Sequence, residues 1–229
     1  MTQKLVDAIF WDIDGTLILT EELHFQSVAD YCTKREMELT DADNAAMIGK
    51  TMIEKWDYLH TQKNLPGSET LFRHECAQYY MENLKNCRIR ESPLRLMRKA
   101  SDMNIPQACV SNGDRQVVHN NINVLGIGSF IDFALTGDDF DNGKPAPDPY
   151  RLACKKMGIP HSRGLVVEDS RVGVASAAAA GLTVIAWPDA SSSFTSEDFA
   201  KADYLISSLE EFPAHLLGLT QADMASLTK

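Results

Sequence analysis

Three absences narrow the possibilities before any motif is read. Basic residues are scarce: Lys and Arg number 22 against 32 Asp and Glu, for a formal net charge of −10. So acidic a chain is a poor match for nucleic acid or an anionic membrane, and neither is expected as a partner. An anionic substrate would need local positive charge, from lysine or from a metal. Paired cysteines are missing too. The five cysteines (Cys32, Cys76, Cys87, Cys109, Cys154) are odd in number and widely spaced, and no Cys-x-x-Cys occurs. No zinc pattern can be drawn from them, and reduced thiols in a cytoplasmic protein are the plain expectation. Finally, no stretch approaches the ~18 apolar residues of a membrane helix. The first apolar segment, "LVDAIFWDIDGTLIL", is broken by three aspartates and follows a single lysine, which does not fit a signal peptide.

What remains is a chain of 229 residues, 44% hydrophobic and 24% charged, enough for one substantial core and a small second domain. "KLVDAIFW" has the β-branched and aromatic content of a buried strand. From Glu21 to about Lys85 the character changes. Four segments there carry apolar residues at three- and four-residue spacing, and none between them reads as a strand. Residues 19–87 are therefore expected to form a helical bundle inserted after the first strand. "LPGSE" reads as a turn followed by an N-cap serine. After Ser92, helical and strand-like segments alternate, with "IPQACVSNGD" read as strand then loop and strands expected in "FIDFALTGDD", "RGLVVEDS", "TVIAW" and "DYLISS". That alternation predicts an α/β, doubly wound, Rossmann-like core with a mostly parallel sheet, made of residues 1–18 and 88–229. "ASAAAAG" reads as helix closed by a C-cap glycine, "DASSSFTSED" as a surface loop, and the last dozen residues as a polar tail.

Ligands of such sheets bind beyond the carboxyl ends of the strands. The first strand ends at Asp12 and Asp14, the second at Ser111, Asn112 and Gly113. Lys144 lies in a loop after the third, and the next strand ends at Glu168 and Asp169. Carboxylates brought together from two strand ends repel, and a divalent cation removes the conflict. Oxygen donors of this kind suit Mg²⁺, which is usually shared with a phosphate. Lys144, the Ser111 hydroxyl and nearby backbone N–H groups would hold phosphate oxygens, so the set describes a phosphoryl site. Residues i and i+2 of an extended chain point to the same side. Asp12 can then serve as nucleophile and Asp14 as acid and base, with neighbouring negative charge expected to keep Asp14 protonated. Gly15 permits the turn that carries Asp14 over the site.

"DIDGT", "SN", "GKPAPDPY" and "VVEDSRVGVASAAAAG" resemble, in order, the four motifs of the haloacid dehalogenase-like hydrolase superfamily. The similarity covers the whole chain, and the helical insert resembles the small cap of the beta-phosphoglucomutase and phosphoglycolate phosphatase branch. The resemblance implies phosphorylation of Asp12, acid/base work by Asp14, and Mg²⁺ held by Asp12, the Asp14 backbone carbonyl and Asp169. Glu168 is either a further ligand or a neighbour that holds one. Ser111 and Lys144 would grip phosphate, with Thr16, Asn112 and Gly113 beside them and His24 and Lys50 facing them from the cap. His24 reads equally well as a hydrogen-bonded structural histidine. Two departures matter. Leu19 stands where the branch has an aspartate, although Thr20 matches. "GKTM", Gly49 to Met52, aligns with the cap's "G-x-S-R" and has methionine at the position of the arginine that grips a distal phosphate.

The expected activity is Mg²⁺-dependent hydrolysis of a small phosphorylated metabolite through an aspartyl phosphate. A phosphomutase of the beta-phosphoglucomutase type is the alternative. A rival of another class is a receiver-like switch that accepts a phosphoryl group on aspartate without turnover. A receiver lacks a second aspartate two residues on and a helical cap, and needs about half this length. Trp56 and Tyr58 are expected in the helical core rather than on a substrate face.

Overall fold

A computed structural model describes residues 5–48, 50–190 and 194–227. Its centre is a six-stranded sheet with all pairings parallel, built from β1 (Ala8–Trp11), β4 (Gln107–Val110), β5 (Phe133–Leu135), β6 (Gly164–Glu168), β7 (Thr183–Ala186) and β8 (Tyr204–Leu205). The order is β5-β4-β1-β6-β7-β8. Each strand sends alternate residues to opposite faces, and both faces are covered. Ile9, Trp11, Cys109, Leu165, Val167 and Ile185 join one buried cluster; Ala8, Phe10, Ala108, Val110, Val166 and Val184 join the other. Two buried faces explain why these strands read as continuous apolar runs. Helices α5 (Glu91–Asp102) and α6 (Arg115–Leu125) pack on the first face, α7 (Asp148–Met157) and α8 (Arg171–Ala179) on the second. Gly181 follows α8 at φ +80, the left-handed position expected of the glycine in "ASAAAAG".

Four helices precede α5 in the chain: α1 (Glu21–Thr33), α2 (Asp41–Met47), α3 (Met52–Lys63) and α4 (Glu69–Asn83). They enclose a separate core around Tyr31, Trp56, Leu59 and Phe72. Threonine and serine caps start three of them: Thr40 and Thr51 form reciprocal capping boxes with Asp43 and Glu54, and Ser68 accepts from the Leu71 amide. Trp56 is buried in this core, and Tyr58 donates to Asp43 at 2.8 Å, in line with a packing role for both.

The structure departs from expectation in three places. The segment before α1 contains a strand, β2 (Ile18–Leu19), which pairs antiparallel with β3 (Arg88–Ile89). The boundary expected between residues 18 and 19 therefore runs through a strand; two residues are too short to show a period. The supposed polar tail ends in helix α9 (Gln221–Leu227), which docks against α5 through buried Met224 and a 2.7 Å Lys99–Asp223 ion pair. Thr220 and Asp223 cap one another at its start. In "DASSSFTSED", Ser196–Phe199 forms a short 3-10 turn, and residues 191–193 lie outside the described residues.

Among the described residues, no helix is long and apolar enough to cross a membrane. The five cysteines are all unpaired.

Candidate active site

β1 lies where the strand order reverses, between β4 and β6, so the residues following these three strands meet at one rim. Trp11 is level with Cys109 on one side and Val167 on the other. Asp12 therefore emerges beside Val110 and Glu168. Lys144, from the loop before α7, reaches between them. Its ammonium donates to Asp12 Oδ1 at 2.7 Å, Glu168 Oε1 at 2.6 Å and the Val110 carbonyl at 2.8 Å. Burial opposes the charge on Lys144, but Asp12 and Glu168 outweigh it and hold its pKa above the ordinary value. Asn112 fixes the lysine from the other end, accepting from its backbone N–H and donating to its carbonyl.

Three carboxylates, Asp12, Glu168 and Asp169, bring ligand oxygens within 4.8 Å of one another against that single ammonium. Glu168 is fully buried, and its oxygens accept from Lys144, Tyr150 and Ser170. A Cβ at Gly173 would overlap this carboxylate, so α8 approaches it as only glycine permits. Asp169 accepts from the Thr16 hydroxyl at 2.9 Å. Gly15, at φ +87, passes so close over Asp169 that no side chain fits there. Asp12 Oδ2 is buried with no hydrogen-bond partner among the described residues. Burial and then the Glu168 charge push the Asp12 carboxyl well above the usual range, against the pull of Lys144. An orphaned carboxylate oxygen within a cluster of hard oxygen donors fits a divalent cation such as Mg²⁺.

Asp14 stands apart from that cluster. Its Oδ1 accepts from Thr20 at 2.7 Å, Asn121 at 3.0 Å and Tyr80 at 3.4 Å, with His24 Nε2 at 3.5 Å; its Oδ2 accepts from Ser111 at 3.3 Å. His24, on α1, stacks on Tyr80, on α4, with ring centroids 4.6 Å apart. The expectation that negative neighbours keep Asp14 protonated is overturned. Burial does raise its pKa, but the hydrogen bond and charge from His24, with the Thr20 and Ser111 hydroxyls, outweigh it and push it down to about 2. Among the donors, Tyr80 and Asn121 were not singled out from the sequence, and no local signal marks them.

A cavity of about 310 Å³ opens between this rim and helices α1 to α4. Asp12, Asp14, Ser111, Asn112, Gly113, Lys144 and Asp169 line it from the sheet side, and His24 and Lys50 from the helical side. Thr16 does not reach it. Its buried hydroxyl is committed to Asp169, which corrects its placement among substrate-binding residues. The Asn112 side chain is likewise occupied by Lys144. Met52 lines the cavity, while Gly49 lies outside the described residues.

Comparison with known proteins agrees with this geometry. The profile of the haloacid dehalogenase-like hydrolases matches residues 9–187, which span every residue of the rim. Pyrophosphatase PpaX of Bacillus velezensis is 30% identical over 179 residues, 74% of this chain and 77% of that protein. The bifunctional riboflavin kinase/FMN phosphatase of Arabidopsis thaliana is 27% identical over 218 residues, 95% of this chain but 57% of its own length. Another Arabidopsis relative is matched over only 18% of its length. Among solved structures, CbbY of Rhodobacter sphaeroides in complex with xylulose-(1,5)-bisphosphate superposes with a TM-score of 0.79 at 25% identity, covering 89% of this chain and 94% of that one. Phosphatases recur among the relatives, which supports a role in phosphoryl transfer or hydrolysis; beta-phosphoglucomutase of Clostridium difficile, 19% identical with a TM-score of 0.76, shares the fold. The chain belongs to the haloacid dehalogenase-like hydrolase family.

Proposed function

We propose that the protein hydrolyses a small phosphomonoester in a Mg²⁺-dependent reaction, through a phosphoryl group carried on Asp12, with helices α1 to α4 serving as the cap over the site. The observation that carries this reading is the contrast between two aspartates two residues apart. Asp12 is held by Lys144 on one oxygen and orphaned on the other, inside the acidic cluster. Asp14 lies among neutral and basic donors on the cavity wall. Two carboxylates in such different settings suit two different tasks.

Asp12 attacks phosphorus, and the bond from phosphorus to the leaving oxygen breaks. That oxygen takes a proton from Asp14 as it departs. Water then adds to the phosphoryl group and gives its proton to the Asp14 carboxylate, and the Asp12–phosphorus bond breaks to release phosphate. The donors around Asp14 favour its ionised form, the one required in the second half. An incoming phosphate dianion adds negative charge beside Asp14, which shifts it toward the protonated form that the first half requires. Ser111 and Gly113 line the cavity; the Ser111 hydroxyl, now on Asp14, and the Gly113 N–H, now on Ser111, would turn to the phosphate oxygens when substrate binds. Asp12 and Asp169, with Glu168 beside them and the Asp14 carbonyl that the family resemblance implies, would hold Mg²⁺. When bound, the ion would neutralise charge on the phosphoryl oxygens. Met52 on the cavity wall offers no charge to a second phosphate, which favours net hydrolysis over a mutase.

The test is rapid-quench kinetics with an aryl phosphate. Asp12→Asn should form no phosphoenzyme. Asp14→Asn should accumulate one, because an aryl leaving group departs with little protonation while water attack lacks its base; turnover should fall by about 10²–10⁴. Equal inactivity of both variants, with no trapped phosphoenzyme and unchanged metal binding, would refute the assignment.

A further inference from the structure

Arg90 stands between β3 and α5, outside the cavity wall, and its side chain is 8% exposed. Asp189 lies 3.9 Å from its Nε, too far for a hydrogen bond. The short contacts of the guanidinium go to backbone instead. Nη1 donates to the Gly15 carbonyl at 2.8 Å and to the Trp187 carbonyl at 2.8 Å, and Nη2 reaches the Pro188 carbonyl at 3.4 Å. Burying a cation against carbonyls is costly, so the place of those carbonyls matters. Gly15 belongs to the turn that carries Asp14 out of β1. Within it the Gly15 N–H donates to Ile18 and the Leu17 N–H to Ile13, and the Arg90 N–H donates to the Leu17 carbonyl at 2.9 Å. Trp187 follows β7, and its own N–H donates to the Glu168 carbonyl at 2.6 Å. Asp169, next in the chain, accepts from Thr16. The bonds close a circuit: Gly15, Arg90, Trp187, Glu168, Asp169, Thr16 and back to Gly15. The circuit is needed because its first member is a glycine at φ +87, the residue with the most backbone freedom to lose.

We propose that Arg90 is a positioning residue for Asp14: by fixing the Gly15 carbonyl it holds the turn in the orientation that aims the Asp14 carboxylate at the leaving oxygen. This rests on the phosphatase reading above and adds to it a residue that does not touch the substrate. Thr20, Asn121 and Ser111 hold Asp14 by its carboxylate oxygens, and those bonds must rearrange whenever the carboxyl takes up a proton. The Arg90 bond is to backbone, so it persists through both halves of the reaction. The fixed fork of a guanidinium suits it to span two separate segments, which a lysine ammonium on its shorter stem does less well.

The test compares benzyl phosphate, whose alkoxide must be protonated to leave, with 4-nitrophenyl phosphate, whose phenolate leaves with little help. Their ratio of kcat/KM reports the first half of the reaction and is internal to one protein sample, so partial misfolding of a variant cancels. Arg90→Met should shift that ratio against benzyl phosphate by roughly tenfold or more, the scale of a misplaced acid. Arg90→Lys should lie closer to wild type. In an Asp14→Asn background Arg90→Met should leave the ratio within about threefold of the single variant, because the group it positions is gone. Hydrogen exchange supplies a readout apart from activity. The Gly15, Leu17 and Ile18 amides should exchange at least tenfold faster in Arg90→Met, while the Ile9 and Asp12 amides of the neighbouring strand do not. A ratio within about threefold of wild type in Arg90→Met, or the same shift in the Asp14→Asn background, overturns the proposal while turnover by wild type keeps the phosphatase reading intact. Equal acceleration of all five amides, or of none, also overturns it, since Arg90 would then not hold the turn in particular. If wild type turns over neither ester, the phosphatase reading falls, and the exchange rates still decide whether Arg90 holds the turn.

Discussion

Replacing Lys144 by methionine keeps most of its volume and removes its charge. The ammonium side chain is 4% exposed, and its two carboxylate partners, Asp12 and Glu168, are 10% and 0% exposed. The substitution would leave these carboxylates and the Val110 carbonyl without their common donor. Breaking one buried ion pair from one side costs about 3–5 kcal/mol. Here one cation serves two anions, which argues for the upper end. Protonation limits the loss, because each unit of pKa rise costs only about 1.4 kcal/mol before the carboxyl becomes neutral. A loss of about 4 kcal/mol is expected near neutral pH. At about 2–4 °C per kcal/mol for a chain of this size, Tm should fall by roughly 8–16 °C. The sign with pH follows from the unpaired acids. The folded pKa of Asp12 already lies above its ordinary value, and losing the ammonium raises it further, so the variant should regain stability as pH falls from neutral toward 5. Saturating Mg²⁺ should shrink the deficit by restoring positive charge, and Glu168→Gln in the same chain should recover part of it by removing one anion. The assay is scanning calorimetry of wild type and both variants, in excess chelator and in Mg²⁺. A Lys144→Met protein that melts within about 2 °C of wild type in chelator would show that the buried charges are not coupled as described.

Phosphatase activity should vanish in excess chelator and return with Mg²⁺, whereas Ca²⁺, with its larger and looser shell, should inhibit; full activity in chelator would exclude the metal. Asp43 accepts from Lys63, Thr40 and Tyr58, and these bonds hold its carboxyl below the usual range. Its contribution is therefore present above the ordinary carboxylate pKa of about 4 and lost as pH falls below it. Asp43→Asn should cost about 1–3 kcal/mol at pH 7, with the gap to wild type closing in melts run below pH 4. With beta-glucose 1-phosphate, release of inorganic phosphate should outpace formation of the 6-phosphate, and no bisphosphate activator should be needed; the reverse order by coupled assay would establish a mutase.

The acidic rim was legible because its residues sit at strand ends in short motifs, and the rule for doubly wound sheets says where strand ends meet. The order β5-β4-β1-β6-β7-β8 was not legible, since nothing local in a buried apolar strand names its neighbours. Helix α9 hid in a polar stretch whose apolar face consists of little more than Met224, although "TQAD" carries the threonine and aspartate of a capping box. The charge state of Asp14 was misread for a similar reason. His24, Thr20 and Ser111, which lower it, were all in view as residues, but nothing local showed that their donors converge on this carboxylate. Tyr79 and Tyr80 look alike as letters; only the packing of α4 turns the second toward Asp14.

The short ribbon of β2 and β3 has a consequence for how such a chain can diversify. Ile18 faces Ile89 and Leu19 faces Arg88, so the chain enters and leaves the four-helix segment one strand spacing apart, about 5 Å. To the sheet, everything between is a hairpin loop of arbitrary length, and the closure entropy of such a loop rises only slowly with its size. The intervening residues are thus open to exchange, shortening or enlargement with little geometric demand on Asp12 or Lys144. One demand does persist: His24 and Tyr80 belong to the exchangeable part and contact Asp14. Any transplanted segment must bring its own partners for that carboxylate, so new selectivity and the tuning of proton transfer would be inherited together.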